Sequence, residues 1–281
     1  MAIGDGRGSP LRFVVKLGGD VLENPERAAL AHAVARSQVL RGQGLLVHGG
    51  GAQVTALATK LGLPTKMVAG RRITDAETLT VMEMVVAGRL NVELCAALQG
   101  AGARAVGLHA GSAVIKATKR PPRVTTGAGP DPIDFGLVGD VTGFDLGLIE
   151  ALAGAGYLPV LSCLGIDEAG QVLNLNADLA ASQLAAALRA DVLVAVTAVG
   201  GVRRDVADPA SRIPRLTVTA ARAAIADGTV KGGMIPKLEE AIAAVDKGVG
   251  RVDIVAPGEI EASLAARPES AGAVGTSIVA G

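Results

Sequence analysis

The sequence has no tryptophan, one tyrosine and three phenylalanines among 281 residues. An aromatic platform for stacking nucleic-acid bases is therefore not available, and the core has to be built from Ala, Val, Leu and Ile. Net charge is missing as well, because 27 Lys and Arg balance 27 Asp and Glu. No global positive field exists to draw nucleic acid or an anionic membrane, so any cationic site must be local. The only cysteines, Cys95 and Cys163, lie inside apolar segments and read as small buried hydrophobes, not as a disulfide or metal pair, which suits a reducing cytoplasm. His32, His48 and His109 are scattered without ligand spacing, and neither HExxH nor CxxC occurs, so no protein metal site is expected. No stretch approaches the roughly 18 apolar residues of a membrane span, and MAIGDGRGSPLR at the N-terminus lacks an apolar signal region. A soluble cytoplasmic protein is the expectation.

What is present is organised around residues 13–19, FVVKLGG. An apolar run bounded by glycine predicts a buried parallel strand, and ligands of open α/β sheets bind at the carboxyl ends of strands, where Lys16 stands. The pair Gly18-Gly19 lets the backbone turn and approach a ligand closely. A helix opening at Asn24-Pro25 and closing at Gly42, a strand over 44–47, the turn His48-Gly49-Gly50-Gly51 and a helix from about Ala52 complete a βαβα order, which implies right-handed crossovers. Glycine turns at two strand exits offer free N–H groups to a phosphate. No GxxxxGK[ST] is present, and the GxGxxA look-alike over 100–105 precedes a strand, so it reads as a helix end.

Further along, 63–73 is a polar, proline-bearing excursion ending in Gly70-Arg71-Arg72, a guanidinium pair suited to a carboxylate. Thr74 and Glu77 have the spacing of a capping box for a helix to Leu98. Strands are predicted over 105–108, 114–117, 137–141 and 158–161, a helix over 145–155, and a surface loop over 119–132, which holds four prolines and two glycines. Residues 165–175 read as a hairpin turned at 167–170. In Asn174-Leu175-Asn176-Ala177-Asp178 one asparagine serves as a helix cap, which leaves the other and the aspartate to be explained. A strand over 192–197 leads to Val199-Gly200-Gly201, and an irregular charged passage runs to Pro214. Lys231 and Lys237 flank a Gly-Gly turn ahead of a helix, and strands over 251–255 and 275–279 end the chain.

Between Val14 and Ile278 the segments VVKLGG, HGGG, PTKMVAGRRITD, GYLPVL, NLNAD, VTAVGGV, GGMIPK and GTSI occur in this order. In them the chain resembles the acetylglutamate kinases of the amino acid kinase family. The resemblance implies an open three-layer αβα sandwich around a mostly parallel sheet, with an N-terminal lobe over 1–175 for the acceptor and dimerisation and a C-terminal lobe over 176–281 for MgATP. It implies transfer of the γ-phosphoryl of ATP to the side-chain carboxylate of N-acetyl-L-glutamate, in arginine biosynthesis, by a cytoplasmic homodimer with Mg2+ as cofactor. By the same likeness Lys16 would hold the γ-phosphate, Lys237 would serve the leaving side and Asp178 would fix both lysines. Gly18, Gly19, Gly50 and Gly51 would line the phosphoryl path, Arg72 and Asn174 would grip the acceptor, and Thr197, Gly201 and Lys231 would join the nucleotide site. Two departures stand out: Ala198 replaces an aspartate frequent in relatives, and GLHAGSA over 107–113 replaces GLSGxDG. A sister kinase with an aminoadipate-type or carrier-linked acceptor is a second reading, and a nucleotide-binding regulator without turnover a third. The short glycine-bearing N-terminal segment predicts a dimer without strong arginine feedback.

Overall fold

The computed structural model of the chain describes residues 12–23, 26–41, 44–125, 127–205, 207–266 and 271–281. The apolar run forms strand β1 (Phe13–Leu17), followed by helix α1 (Glu26–Arg41), β2 (Gly44–His48) and α2 (Gly51–Lys60). Asn24, Pro25 and Gly42, where α1 is predicted to open and close, lie outside the described residues, as does 1–11. The excursion over 63–73 is more regular than its sequence suggests: it holds an antiparallel hairpin of β3 (Met67–Val68) and β4 (Arg71–Arg72), turned through Ala69 and Gly70 at φ 45° and 75°.

A continuous helix follows, made of α3 (Ala76–Met82), a π-helical stretch (Glu83–Leu90) and α4 (Asn91–Gly100). Thr74 is not its cap. Asp75 takes that place, its Oδ1 accepting from the Thr78 N–H at 2.9 Å, while Thr74 is wholly buried with its main chain paired to Phe135 and Leu137. An aspartate one residue on satisfies the first-turn donors equally well, which frees Thr74 for the interior. The helix ends at Gly100, and Gly102 turns the chain at φ 96°, so 100–105 is a helix end as predicted.

The remaining elements are β5 (Ala105–Leu108), β6 (Ile115–Lys119), β7 (Gly139–Phe144), α5 (Leu146–Gly154), β8 (Leu158–Ser162), β9 (Leu164–Ile166), β10 (Val172–Asn174), α6 (Ala177–Ala187), β11 (Val192–Val196), β12 (Arg215–Thr217), α7 (Val218–Ala226), α8 (Met234–Asp246), β13 (Arg251–Val255), α9 (Ile260–Ala265) and β14 (Thr276–Val279). β7 starts two residues later than predicted, because the Leu137 main chain is committed to Thr74 and Asn174. β12 and α9 have no clear sequence signal, being three and six residues long. Lys237, predicted ahead of a helix, lies within the first turn of α8.

An eight-stranded sheet has the order β12-β14-β13-β11-β1-β2-β8-β5 and is parallel except at β13–β14. A second sheet, β10-β9-β6-β7, stands beside it. Successive strand residues face opposite sides: Phe13, Val15 and Leu17 pack with α1, α4 and α9, and Val14 packs with α5, α6, α7 and α8. The result is helix, sheet, helix, with a core on each face. Deleting three side-chain carbons from fully buried Leu94 removes transfer energy and leaves a cavity, so Leu94→Ala should lower unfolding free energy by about 2–5 kcal/mol, checked by urea denaturation.

Candidate active site

Strand alternation sets the site. Lys16 shares a face of β1 with Val14, so it points toward α6 and α8 and is 5% exposed. An ammonium at that depth requires a counter-charge. It finds one in Asp178, held in the first turn of α6 by the Asn176 cap, whose Oδ1 accepts from the Leu179 N–H at 3.0 Å. Asp178 Oδ1 lies 2.7 Å from Lys16 Nζ, and its Oδ2 lies 3.2 Å from Lys237 Nζ on α8. Burial opposes ionisation of Asp178, yet the two ammonium groups outweigh it and hold the carboxyl below its ordinary pKa. The helix N-terminus favours the same charge. Two cations on one carboxylate leave surplus positive charge at the wall of a cavity of about 400 Å³.

Glycine turns form the floor of that cavity. Gly18 and Gly19 follow β1, Gly50 and Gly51 follow β2, and these strands are neighbours. The turns approach so closely that a Cβ on Gly19 would lie 2.7 Å from Gln53 Oε1 and 3.2 Å from Gly50 Cα, and a Cβ on Gly50 would lie 2.5 Å from Leu90 Cδ1. A side chain at Gly19 would press on Gln53 and the Gly50 backbone, and one at Gly50 would press on Leu90. Gln53 Nε2 donates to the Gly19 carbonyl at 2.7 Å and to Glu23 Oε1 at 2.8 Å, fixing the first turn. Gly51 opens α2, whose first N–H groups have no intrahelical acceptor.

At the far end, Arg72 Nη2 donates to the Gly51 carbonyl at 3.0 Å and to Thr55 Oγ1 at 2.7 Å, while Nη1 is buried without a partner. Burial lowers the pKa of Arg72, and both of its partners are uncharged. The guanidinium is thus poised for an anion. Asn174 Nδ2 donates to Thr74 Oγ1 at 2.9 Å, which explains the asparagine that capping leaves over.

Of the sequence-selected residues, Lys16, Gly18, Gly19, Gly50, Gly51, Arg72, Asn174 and Asp178 line this one cavity, and Lys237 reaches it through Asp178. Thr197, Gly201 and Lys231 do not line it. Thr197 follows β11, which pairs with β1 in the register Leu17 to Val196, so it stands at the same carboxyl edge. Its Oγ1 accepts from the Gly200 N–H at 3.1 Å. Gly201 has φ 138° and is packed against Thr276 and Arg212, and Lys231 is exposed ahead of α8. The Ala198 N–H reaches Asp20 Oδ2 at 3.4 Å, which ties the turn after β11 to the Gly18-Gly19 turn.

Four further participants were not selected from the sequence. His48, fully buried, places Nδ1 2.9 Å from the Gly49 carbonyl and Nε2 3.0 Å from Asn91 Nδ2, which also donates to Val160 O. A carbonyl on one side and an amide donor on the other fix the Nδ1–H tautomer. Glu240, one turn beyond Lys237 on α8, lines the cavity, its pKa raised first by burial and then by Asp178. Arg120 and Arg123 arrive from the loop after β6. Only spatial proximity marks these residues, although histidine before three glycines was a local hint.

Among the described residues no three His, Cys, Asp or Glu side chains are grouped to hold a metal, and Asp178 is committed to lysines. Likewise no helix among them is long and apolar enough to cross a membrane.

The sequence profile of the amino acid kinase family matches residues 11–256. The chain belongs to this family. It is 54% identical over 271 residues to the acetylglutamate kinase of Sorangium cellulosum, covering 95% of this chain and 94% of that one. It is also 54% identical over 266 residues to the acetylglutamate kinase of Anaeromyxobacter dehalogenans strain 2CP-1, covering 93% and 97%. Among solved structures, N-acetylglutamate synthase from Neisseria gonorrhoeae, complexed with coenzyme A and N-acetyl-glutamate, is similar with a TM-score of 0.79 at 25% identity, over 96% of this chain and 60% of that one. Carbamate kinase from Giardia lamblia, bound to AMP-PNP, shares the fold with a TM-score of 0.72 at 18% identity, over 97% and 99%.

Burial drives the His48 pKa from 6.5 down to about 4, only partly opposed by the Gly49 hydrogen bond. The unfolded chain therefore binds a proton that the folded chain refuses. Stability from keeping His48 neutral is complete above about pH 6.5 and is lost as pH falls toward 4. The contribution of Asp178 disappears only below the ordinary carboxylate range. Between pH 7 and 4.5 the unmodified chain should lose roughly 2–3 kcal/mol more than His48→Gln, measured by urea unfolding.

Proposed function

We infer that the chain is an acetylglutamate kinase, an ATP-dependent phosphotransferase with a carboxyl group as acceptor. An oxygen of the N-acetyl-L-glutamate side-chain carboxylate attacks the γ-phosphorus, and the bond from that phosphorus to the β,γ-bridging oxygen breaks. The products are N-acetyl-L-glutamyl 5-phosphate and ADP. The observation that carries this reading is the bridging of Lys16 and Lys237 by Asp178, at 2.7 and 3.2 Å, on the wall of the glycine-floored cavity. Phosphoryl transfer needs positioning and charge neutralisation more than covalent help. A carboxylate acceptor is already ionised at neutral pH, so no general base is required, which agrees with a cavity whose lining holds no histidine.

In this reading Lys16 meets the γ-phosphate, Lys237 the leaving oxygen, and Asp178 sets the spacing between them. Gly18, Gly19, Gly50 and Gly51 present backbone N–H groups along the transfer path, and Arg72 and Asn174 hold the acceptor. Thr197, Gly201 and Lys231 belong to the nucleotide side, supported by the position of Thr197 at the carboxyl edge of β11. The lobe boundary near 175 is supported by the sheet order, which puts β1, β2, β5 and β8 on one side of the β1–β11 seam and β11 to β14 on the other. Magnesium enters with the nucleotide phosphates, in keeping with the absence of a carboxylate cage among the described residues.

The setting is arginine biosynthesis in the cytoplasm, by a homodimer. Exposed Met84 and Val92, at 57% and 64%, both stand on the 76–100 helix and supply apolar surface for self-association. Gel filtration should give the mass of two chains, and a mass of six would overturn the dimer.

An ADP-release assay tests the chemistry. Lys16→Ala and Lys237→Ala should each lower kcat by about 10²–10³ with KM values little changed, whereas Arg72→Ala should raise KM for N-acetyl-L-glutamate about tenfold. Unchanged turnover in a lysine variant would remove that residue from the reaction. ATP binding without ADP production by the unmodified chain would favour a regulator, and preference for N-acetyl-2-aminoadipate would favour the sister kinase.

A further inference from the structure

Four arginines, Arg71, Arg72, Arg120 and Arg123, line the acceptor end of the cavity, where one remote carboxylate is to be bound. Their partners separate them. Arg120 is 6% exposed and neutralised by Asp140, its Nε donating to Oδ1 at 2.8 Å. Arg72 donates only to neutral oxygens and keeps Nη1 buried and unpaired. Arg71 and Arg123 are exposed at the rim, and among the described residues neither side chain has a hydrogen bond or ion pair. Three guanidinium groups without a carboxylate therefore surround one opening, and the acidic lining residues, Asp178 and Glu240, are those of the lysine cluster.

The loop that brings Arg123 is anchored, not free. Arg123 pairs with Ile133 in both backbone directions, at 3.2 and 3.0 Å, and the same loop returns through Phe135 and Leu137 to Thr74. Thr74 lies two residues beyond Arg72, and its hydroxyl accepts from Asn174. Arg123, the arginine hairpin and Asn174 thus hang on one buried residue, which sets the rim guanidiniums around the Arg72 opening.

We propose that Arg123, assisted by Arg71, forms an outer clamp that closes with Arg72 on the α-carboxylate of the acceptor and makes capture depend on negative charge at that position. The ligand class is an N-acyl amino dicarboxylate whose α-carboxylate is free. The clamp rests on the acceptor proposed above. Arginine suits the role because its planar fork gives two parallel donors to a carboxylate, and positive charge at the rim also raises the local concentration of a dianion before contact.

The test compares N-acetyl-L-glutamate with its α-carboxamide, which keeps the reacting carboxylate and lacks the remote charge. Arg123→Ala should raise KM for N-acetyl-L-glutamate about tenfold, leave kcat and KM for ATP within about twofold, and leave kcat/KM for the carboxamide unchanged. Arg123→Lys, which retains charge without the fork, should recover part of the loss, and Arg71→Ala should show a smaller effect in the same direction. Raising salt should increase KM for the dianion less in Arg123→Ala than in the unmodified chain. Equal losses for both acceptors, or an unchanged KM for N-acetyl-L-glutamate, would overturn the clamp while the unmodified chain still turned over. No ADP release from N-acetyl-L-glutamate by the unmodified chain would overturn both the clamp and the acceptor assignment.

Discussion

Asp178 holds together groups that the chain itself keeps far apart. Lys16 ends the first strand and Lys237 opens a helix more than two hundred residues later, and each ammonium takes one oxygen of a carboxylate carried by a third element. The arrangement is costly to build, because Lys16 is buried and an isolated ion at that depth would be released as a neutral amine or would unfold its surroundings. It is maintained by the Asn176 cap, by the helix N-terminus, and by the sheet register that brings β1 beside β11. Among the described residues Asp178 is the one carboxylate that bridges both lysines, and in the reading proposed above a phosphoryl group is the anion that meets the charge they turn toward the cavity. In that reading stability and chemistry draw on the same ions, because the carboxylate that permits lysine burial also fixes the spacing of the two ammonium groups.

Most of the framework was legible in the residues. The apolar run before Lys16, the glycine turns and the alternation of strand with helix dictate a parallel sheet, and the sheet dictates where a ligand binds. The two glycine turns fall on neighbouring strands as their order implies. Asp178 stood out because capping accounts for one asparagine of the NLNAD segment and for nothing else in it. Misread features have a common cause. Thr74 has the right type and spacing for a cap, yet Asp75 serves as well and a buried three-way junction needs Thr74 more. β12 and α9 are too short to produce a period. The strand before Asp145 begins late because the Leu137 backbone is taken by distant partners, a tertiary cause that no local pattern contains.

The same limit applied to the site. Lys16, Asp178 and Arg72 announce themselves by type and context, but Arg120 and Arg123 look like ordinary charges in a proline-rich loop until the loop is seen to fold back on Thr74. His48 is plain as a histidine and silent as a part: only the Gly49 carbonyl on one ring nitrogen and Asn91 on the other show that it braces the second glycine turn. Thr197, Gly201 and Lys231 came from likeness to a family, and none of the three lines the cavity.

The contact between Gly19 and Gly50 also bears on how acceptor length could change within this fold. Where two backbones approach with no side chain between them, the glycine end of the cavity, the reacting end in the reading proposed above, leaves little room for change. An acid one methylene longer would have to find its room at the opposite end, by retreat of the hairpin and the arginine loop. Chain-length preference in this fold would then be set at the arginine rim, while the glycine floor stays fixed.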